Sequence, residues 1–120
     1  MKYLCLVCLD QEEAAKLSPS DWQAVDKASM AYDEELRERG LFITAAALKA
    51  PETAETVRVR NGKRSMTDGP FIETKEHVGG FWVLECASEA EALEWGRKAA
   101  VACRAPVEVR PFYDGPPPRR

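Results

Sequence analysis

Two segments apolar on both faces, two capped amphipathic helices and an Asn-Gly hairpin predict an α+β sandwich, a mostly antiparallel sheet with both helices on one face. The predicted order is β, α, β, hairpin, long loop, β, α, β. Two β-α-β halves in that order make the ferredoxin-like arrangement.

Residues 2–9 (KYLCLVCL) are apolar at nearly every position, as suits a central strand covered on both sides. Residues 10–17 are polar and alanine-rich and read as a connection. Ser18 then caps a helix, Pro19 suits its first position, and Asp21 sits at the positive end of the helix dipole. Trp22, Val25, Ser29, Tyr32 and Leu36 form its packing stripe, most of its charged residues point to solvent, and Gly40 ends it. Residues 41–48 read as a second strand, weakened by three consecutive alanines.

Asn61-Gly62 suits both positive-φ positions of a type I′ turn, so residues 56–60 and 63–67 form a hairpin. Val57 and Val59 share one hairpin face, and Arg58 and Arg60 share the other. Residues 80–87 (GFWVLECA) are again apolar on both faces; Glu85 among them is a weak site candidate or finds a salt bridge. Ser88 with Glu91 opens a second helix to Cys103, with Leu93, Gly96, Ala100 and Cys103 inward. Prolines mark residues 106–112 as an edge strand. The expected organisation is one domain over residues 1–112 and a flexible proline-rich tail over 113–120.

The chain has 120 residues, 45% hydrophobic and 31% charged, which suits a single globular domain with one core. A net charge of −3 without a basic stripe argues against nucleic-acid binding. No apolar run approaches the length of a membrane helix, and the opening apolar segment is too short for a signal peptide, so the expected location is the cytoplasm. Cys5 and Cys8 match C-x-x-C, but on a strand that offset sends the thiols to opposite faces; with Cys86 and Cys103 they read as buried thiols of a reducing compartment. Two helices cover one sheet face only, so the helix-free face is expected to meet a second copy in a homodimer.

Residues 66–80 concentrate the unusual side chains. Asp68-Gly-Pro-Phe71, Glu73-Thr-Lys-Glu76 and Gly79-Gly80-Phe81 together resemble the signature of the DGPF branch of the YCII-related proteins. The likeness extends to Met1-Lys-Tyr, to Glu34-Glu-Leu with Gly40, to Thr56-Val-Arg-Val-Arg60 and to Glu108-Val-Arg-Pro111. It implies a ferredoxin-like subunit of the dimeric α/β-barrel class, with a pocket between sheet and loop where the motif's aspartate does acid–base or ligand-binding work. It also implies a bacterial setting, often beside extracytoplasmic-function sigma factors, and a family activity that is largely unestablished. A related branch pairs a histidine with an aspartate; this chain has no histidine in its N-terminal half, so that role does not transfer to His77.

From the residues themselves, Gly69-Pro70 restricts the chain after Asp68 and Phe71 anchors it. Asp68 either braces an Asx-turn or faces a pocket as general acid or base, and both can hold at once. As an enzyme, Asp68 and Glu73 are the candidate catalytic carboxylates, with Arg58, Phe71, Lys75 and His77 as candidate binding residues for a small organic molecule. The alternative is a non-catalytic module that senses a ligand or a partner such as a sigma factor. Asp68, Glu73, Glu76 and His77 match no metal-ligand spacing, so neither metal nor cofactor is expected.

Overall fold

The computed structural model describes residues 1–71 and 75–118. Its main sheet has four strands: β1 (Lys2–Asp10), β2 (Phe42–Ala47), β5 (Glu76–Glu85) and β6 (Val107–Pro111). Their order is β2-β5-β1-β6 with every pair antiparallel, consistent with a ferredoxin-like fold. The two strands apolar on both faces are the central ones, and the proline-flanked β6 lies at an edge. Between β2 and β5, strands β3 (Glu55–Arg60) and β4 (Lys63–Asp68) form a separate two-stranded sheet. Asn61 (φ 53°) and Gly62 (φ 75°) close this hairpin in the positive-φ conformations that a type I′ turn requires.

Residues 10–17, expected to be a connection, hold a short helix α1 (Gln11–Ala15). Asp10 caps it by accepting from the Glu12 and Glu13 amides at 2.8 and 3.3 Å. Its cap satisfies otherwise orphaned amides, and no apolar stripe announces so short an element. The long helix α2 (Pro19–Glu38) opens with a capping box: Ser18 Oγ accepts from the Asp21 amide, and Asp21 accepts from the Ser18 amide at 2.9 Å. Helix α3 (Glu89–Cys103) buries Ala92, Trp95, Gly96 and Ala99, a different stripe from the expected one; Leu93 is exposed. Trp95 is the larger anchor, and the small residues around it let the helix lie close. A β-carbon on Gly96 would stand 2.6 Å from Val109 Cγ2 on β6.

The core lies between the helices and one sheet face. Tyr3, Cys5 and Val7 of β1 and Trp82 and Leu84 of β5 meet Tyr32 and Leu36 of α2 and the Trp95 side of α3. Tyr32 packs edge-on to Trp82 and Trp95, with ring centres 4.9 and 5.9 Å away, and donates its hydroxyl to the Trp95 carbonyl at 2.9 Å. Burial pushes the Tyr32 pKa up, so the phenol stays a donor.

The other sheet face is open. Register and burial place Leu4 and Leu6 of β1 opposite Val83 and Phe81 of β5 on this side, with Glu108 and Arg110 along β6. No described element covers it. The chain exposes 8838 Å², where a compact monomer of its mass exposes about 6500 Å². Its radius of gyration is 16.6 Å, against about 14 Å for a compact domain of this length. No helix among the described residues is long and apolar enough to cross a membrane.

The Tyr32–Trp95 bond and the fully buried Leu36 hold α2 to the rest of the fold. Tyr32→Phe removes the hydroxyl bond to the Trp95 carbonyl, which keeps its bond within α3, and is expected to cost about 0.5–1.5 kcal/mol. Leu36→Ala is expected to cost about 2–5 kcal/mol; equilibrium urea unfolding measures both.

Candidate functional site: the cleft beneath helix α2

Helix α2 packs chiefly against α3 and touches β2 only lightly. Its C-terminal half is seated by Tyr32 and Leu36, whereas its N-terminal half is tied mainly through Val25, a Ser29–Cys103 contact at 3.6 Å and an Asp21–Arg104 ion pair at 3.3 Å. Below that half, beside Val7, Leu9 and Trp82, the sheet carries a run of small residues, Ala45 to Ala47 on β2 and Gly79-Gly80 on β5. Alanine and glycine cannot fill the gap, and a cleft of about 1030 Å³ remains.

Val7, Leu9, Trp82, Ala45 and Ala47 floor the cleft, while Trp22, Val25 and Met30 of α2 form its wall. Met30 is largely exposed at its mouth, and Trp22 is exposed by about a third, 36%. Asp26, Lys27, Glu34 and Arg37, read from the sequence as a solvated face, rim it. Asp33 accepts from Trp82 Nε1 at 3.2 Å through Oδ1 and from Arg37 Nε at 2.8 Å through Oδ2. The Arg37 guanidinium also lies 3.8 Å from the centre of the Phe42 ring. Its polar wall is thus a mutually satisfied Trp82–Asp33–Arg37 chain, suited to orienting a ligand with an apolar body and a polar end.

The glycine pair has a packing role here. A β-carbon on Gly80 would stand 2.8 Å from the Ala46 carbonyl oxygen, and one on Gly79 would collide with the Leu9 side chain. Gly79 stands where the β1–β5 register shifts between Val7 and Cys8. The sequence reading starts the strand at Gly80; β5 in fact begins at Glu76 and takes in Gly79 as well.

The residues singled out from the loop do not line this cleft. Asp68 ends β4 opposite Glu55 and is exposed, and its side chain has no hydrogen-bond partner among the described residues. Next to it the Gly69 amide donates to Ala54 and the Thr56 hydroxyl donates to the Gly69 carbonyl, so backbone bonds brace the turn. Arg58 lies on the opposite hairpin face from Asp68 by register, 5.5 Å from the centre of the exposed Phe71 ring. Lys75 reaches Glu12 at 3.3 Å in an exposed pair. Glu73 lies outside the described residues. His77 lines a second hollow of about 440 Å³ with Leu48, Pro51, Ala54 and Pro70, and its buried Nδ1 has no partner among the described residues. Glu85 meets the Met1 ammonium at 3.2 Å.

All four thiols are free, with Cys5 facing the helices and Cys8 on the other side of β1. Burial pushes Cys5 and Cys86 up to about 11, so near neutrality neither is a thiolate nucleophile. No cluster of His, Cys, Asp and Glu among the described residues is arranged to hold a metal.

The chain matches the family model of the YCII-related domain over residues 1–114. It is also similar to an uncharacterized protein of Rhizobium meliloti (strain 1021), at 33% identity over 114 residues covering 93% of this chain and 92% of that protein.

A folded-state pKa raised from 9.0 to about 11 gives Cys5 a stabilising term present in full below pH 9 and lost as pH rises to about 11. Unfolding free energy is expected to fall across that window, and less steeply in Cys5→Ala. Urea midpoints from pH 8 to 11 measure it.

Proposed function

The chain belongs to the YCII-related domain family, and we propose that it is a homodimeric domain that binds a small organic molecule in the cleft beneath α2. Asp68-Gly-Pro-Phe71 supports placing it in the DGPF branch. One observation carries the reading: the cleft is large, floored by apolar and small side chains, and bordered by polar groups already paired with each other. A site built for acid–base catalysis holds a carboxylate or imidazole poised to exchange a proton with its substrate. Asp33 instead has both oxygens occupied, which suits holding a ligand better than transforming it.

Support for the dimer comes from area. The roughly 2300 Å² by which the chain exceeds a compact monomer is of the order of 1,000–2,500 Å² that each copy hides in an obligate dimer. The open face supplies an apolar centre of Leu4, Leu6, Phe81 and Val83 for such a contact.

Trp22 and Trp82 border the cleft and report on its contents. A metabolite panel is expected to include compounds that change tryptophan fluorescence saturably, and Ala45→Leu is expected to weaken them at least tenfold by filling the floor. Saturable binding that is indifferent to Ala45→Leu places the site elsewhere. Light scattering at micromolar concentration is expected to show two chains per particle, and Leu6→Asp a folded single chain.

A further inference from the structure

We propose that the β3–β4 arm of one copy lies across the open sheet face of a second copy, so that Asp68 works in a site built by two chains. The inference rests on the dimer reading above.

Within its own chain the arm has nothing to do. It packs substantially against no other element, and every residue of β4 is exposed. A lone two-stranded hairpin is marginal in water. This one also exposes Val57 (55%), Val59 (69%) and Met66 (55%). Register puts those three on one face, since Val57 pairs with Met66 and Val59 with Arg64. Glu55 pairs with Asp68 at the base of the same face. The face therefore runs from a cation near the tip, over an aliphatic centre, to two carboxylates. Arg64 and Asp68 have no ion pair among the described residues.

The open face of the sheet offers apolar and charged partners for this arm. Its centre is Leu4, Leu6, Phe81 and Val83, and its β6 edge carries Glu108 and Arg110. These two are both exposed and held to each other only by a loose 3.8 Å contact. An arm laid here covers the apolar centre with Val57, Val59 and Met66 and exchanges that weak pair for a contact of Arg110 with Asp68. Each arm strand has six residues, about 20 Å of reach at the usual rise.

The consequence is functional. Asp68 lines neither hollow of its own chain. What an acid–base or binding carboxylate needs, a shielded position and a facing cation, is supplied by the second copy. The site is incomplete in one chain.

The test places p-benzoylphenylalanine at Val59 in the full-length protein, irradiates it and maps the products by peptide mass. The expected result is a two-chain product on a denaturing gel, cross-linked to β1, β5 or β6 residues of the open face. Cross-links confined to one chain, or to the α2 cleft or the outer helix surfaces, overturn the inference; if light scattering still finds two chains, the dimer reading survives it. A single-chain particle removes both. As a second measurement, Val57→Ser with Val59→Ser alters side chains already in solvent in the isolated chain, so folding is preserved. It is expected to raise the dimer dissociation constant tenfold or more, and an unchanged constant overturns the proposal.

Discussion

A sheet whose two central strands are apolar on both faces has to be covered twice, and the rest of this molecule follows from how that requirement is met. Helices α2 and α3 cover one face, burying Tyr3, Cys5, Trp82 and Leu84 around Tyr32 and Trp95. Each fully buried large side chain contributes about 1.5–3 kcal/mol, so that layer suffices to define the fold. The second face keeps Leu4, Leu6, Phe81 and Val83 without a described cover. The β3–β4 arm, which packs substantially against no other element, adds to the surplus surface of the isolated chain and to its large radius.

The cleft arises from an unequal division of contacts along α2. One end of the helix is fixed by an aromatic trio and a buried hydrogen bond; the other rests on one valine and two polar ties. Because protein interiors pack densely, a helix above bulky side chains leaves little void. Above Ala45 to Ala47 and Gly79-Gly80 it leaves room for a molecule. Small side chains here are a spacing device, and the glycines serve twice by also admitting Leu9 and the Ala46 carbonyl.

Much of this was legible in the sequence. The Ser18 cap, the Gly40 stop, the Asn61-Gly62 turn and the two doubly apolar strands act through local chemistry, and the structure places each as read. Short α1 was missed because one capped turn has no periodicity, and the α3 stripe was misread because Leu93 was weighted above Trp95. The cleft was missed for a deeper reason. Its signal, three alanines and a glycine pair on neighbouring strands, is visible as a weakness of strand propensity, but a void depends on which helix lies above it, a tertiary fact. The unusual residues gather around Asp68 in sequence, and the structure separates them: Arg58 and Asp68 lie on opposite hairpin faces, and Lys75 turns to Glu12.

Strand β2 links these features. It is an edge strand with no outer neighbour, and Ala46, which points to the open side, still borders the cleft together with Phe81. A molecule in the cleft and a second copy on the open face would therefore press on the same strip of backbone from two sides. Anything that binds one assembly state better than the other shifts the equilibrium by its difference in affinity. In the proposed dimer, β2, an edge strand of the main sheet, is where ligand occupancy and assembly can be coupled. Such coupling suits a domain whose cleft holds a ligand without an evident proton-transfer group.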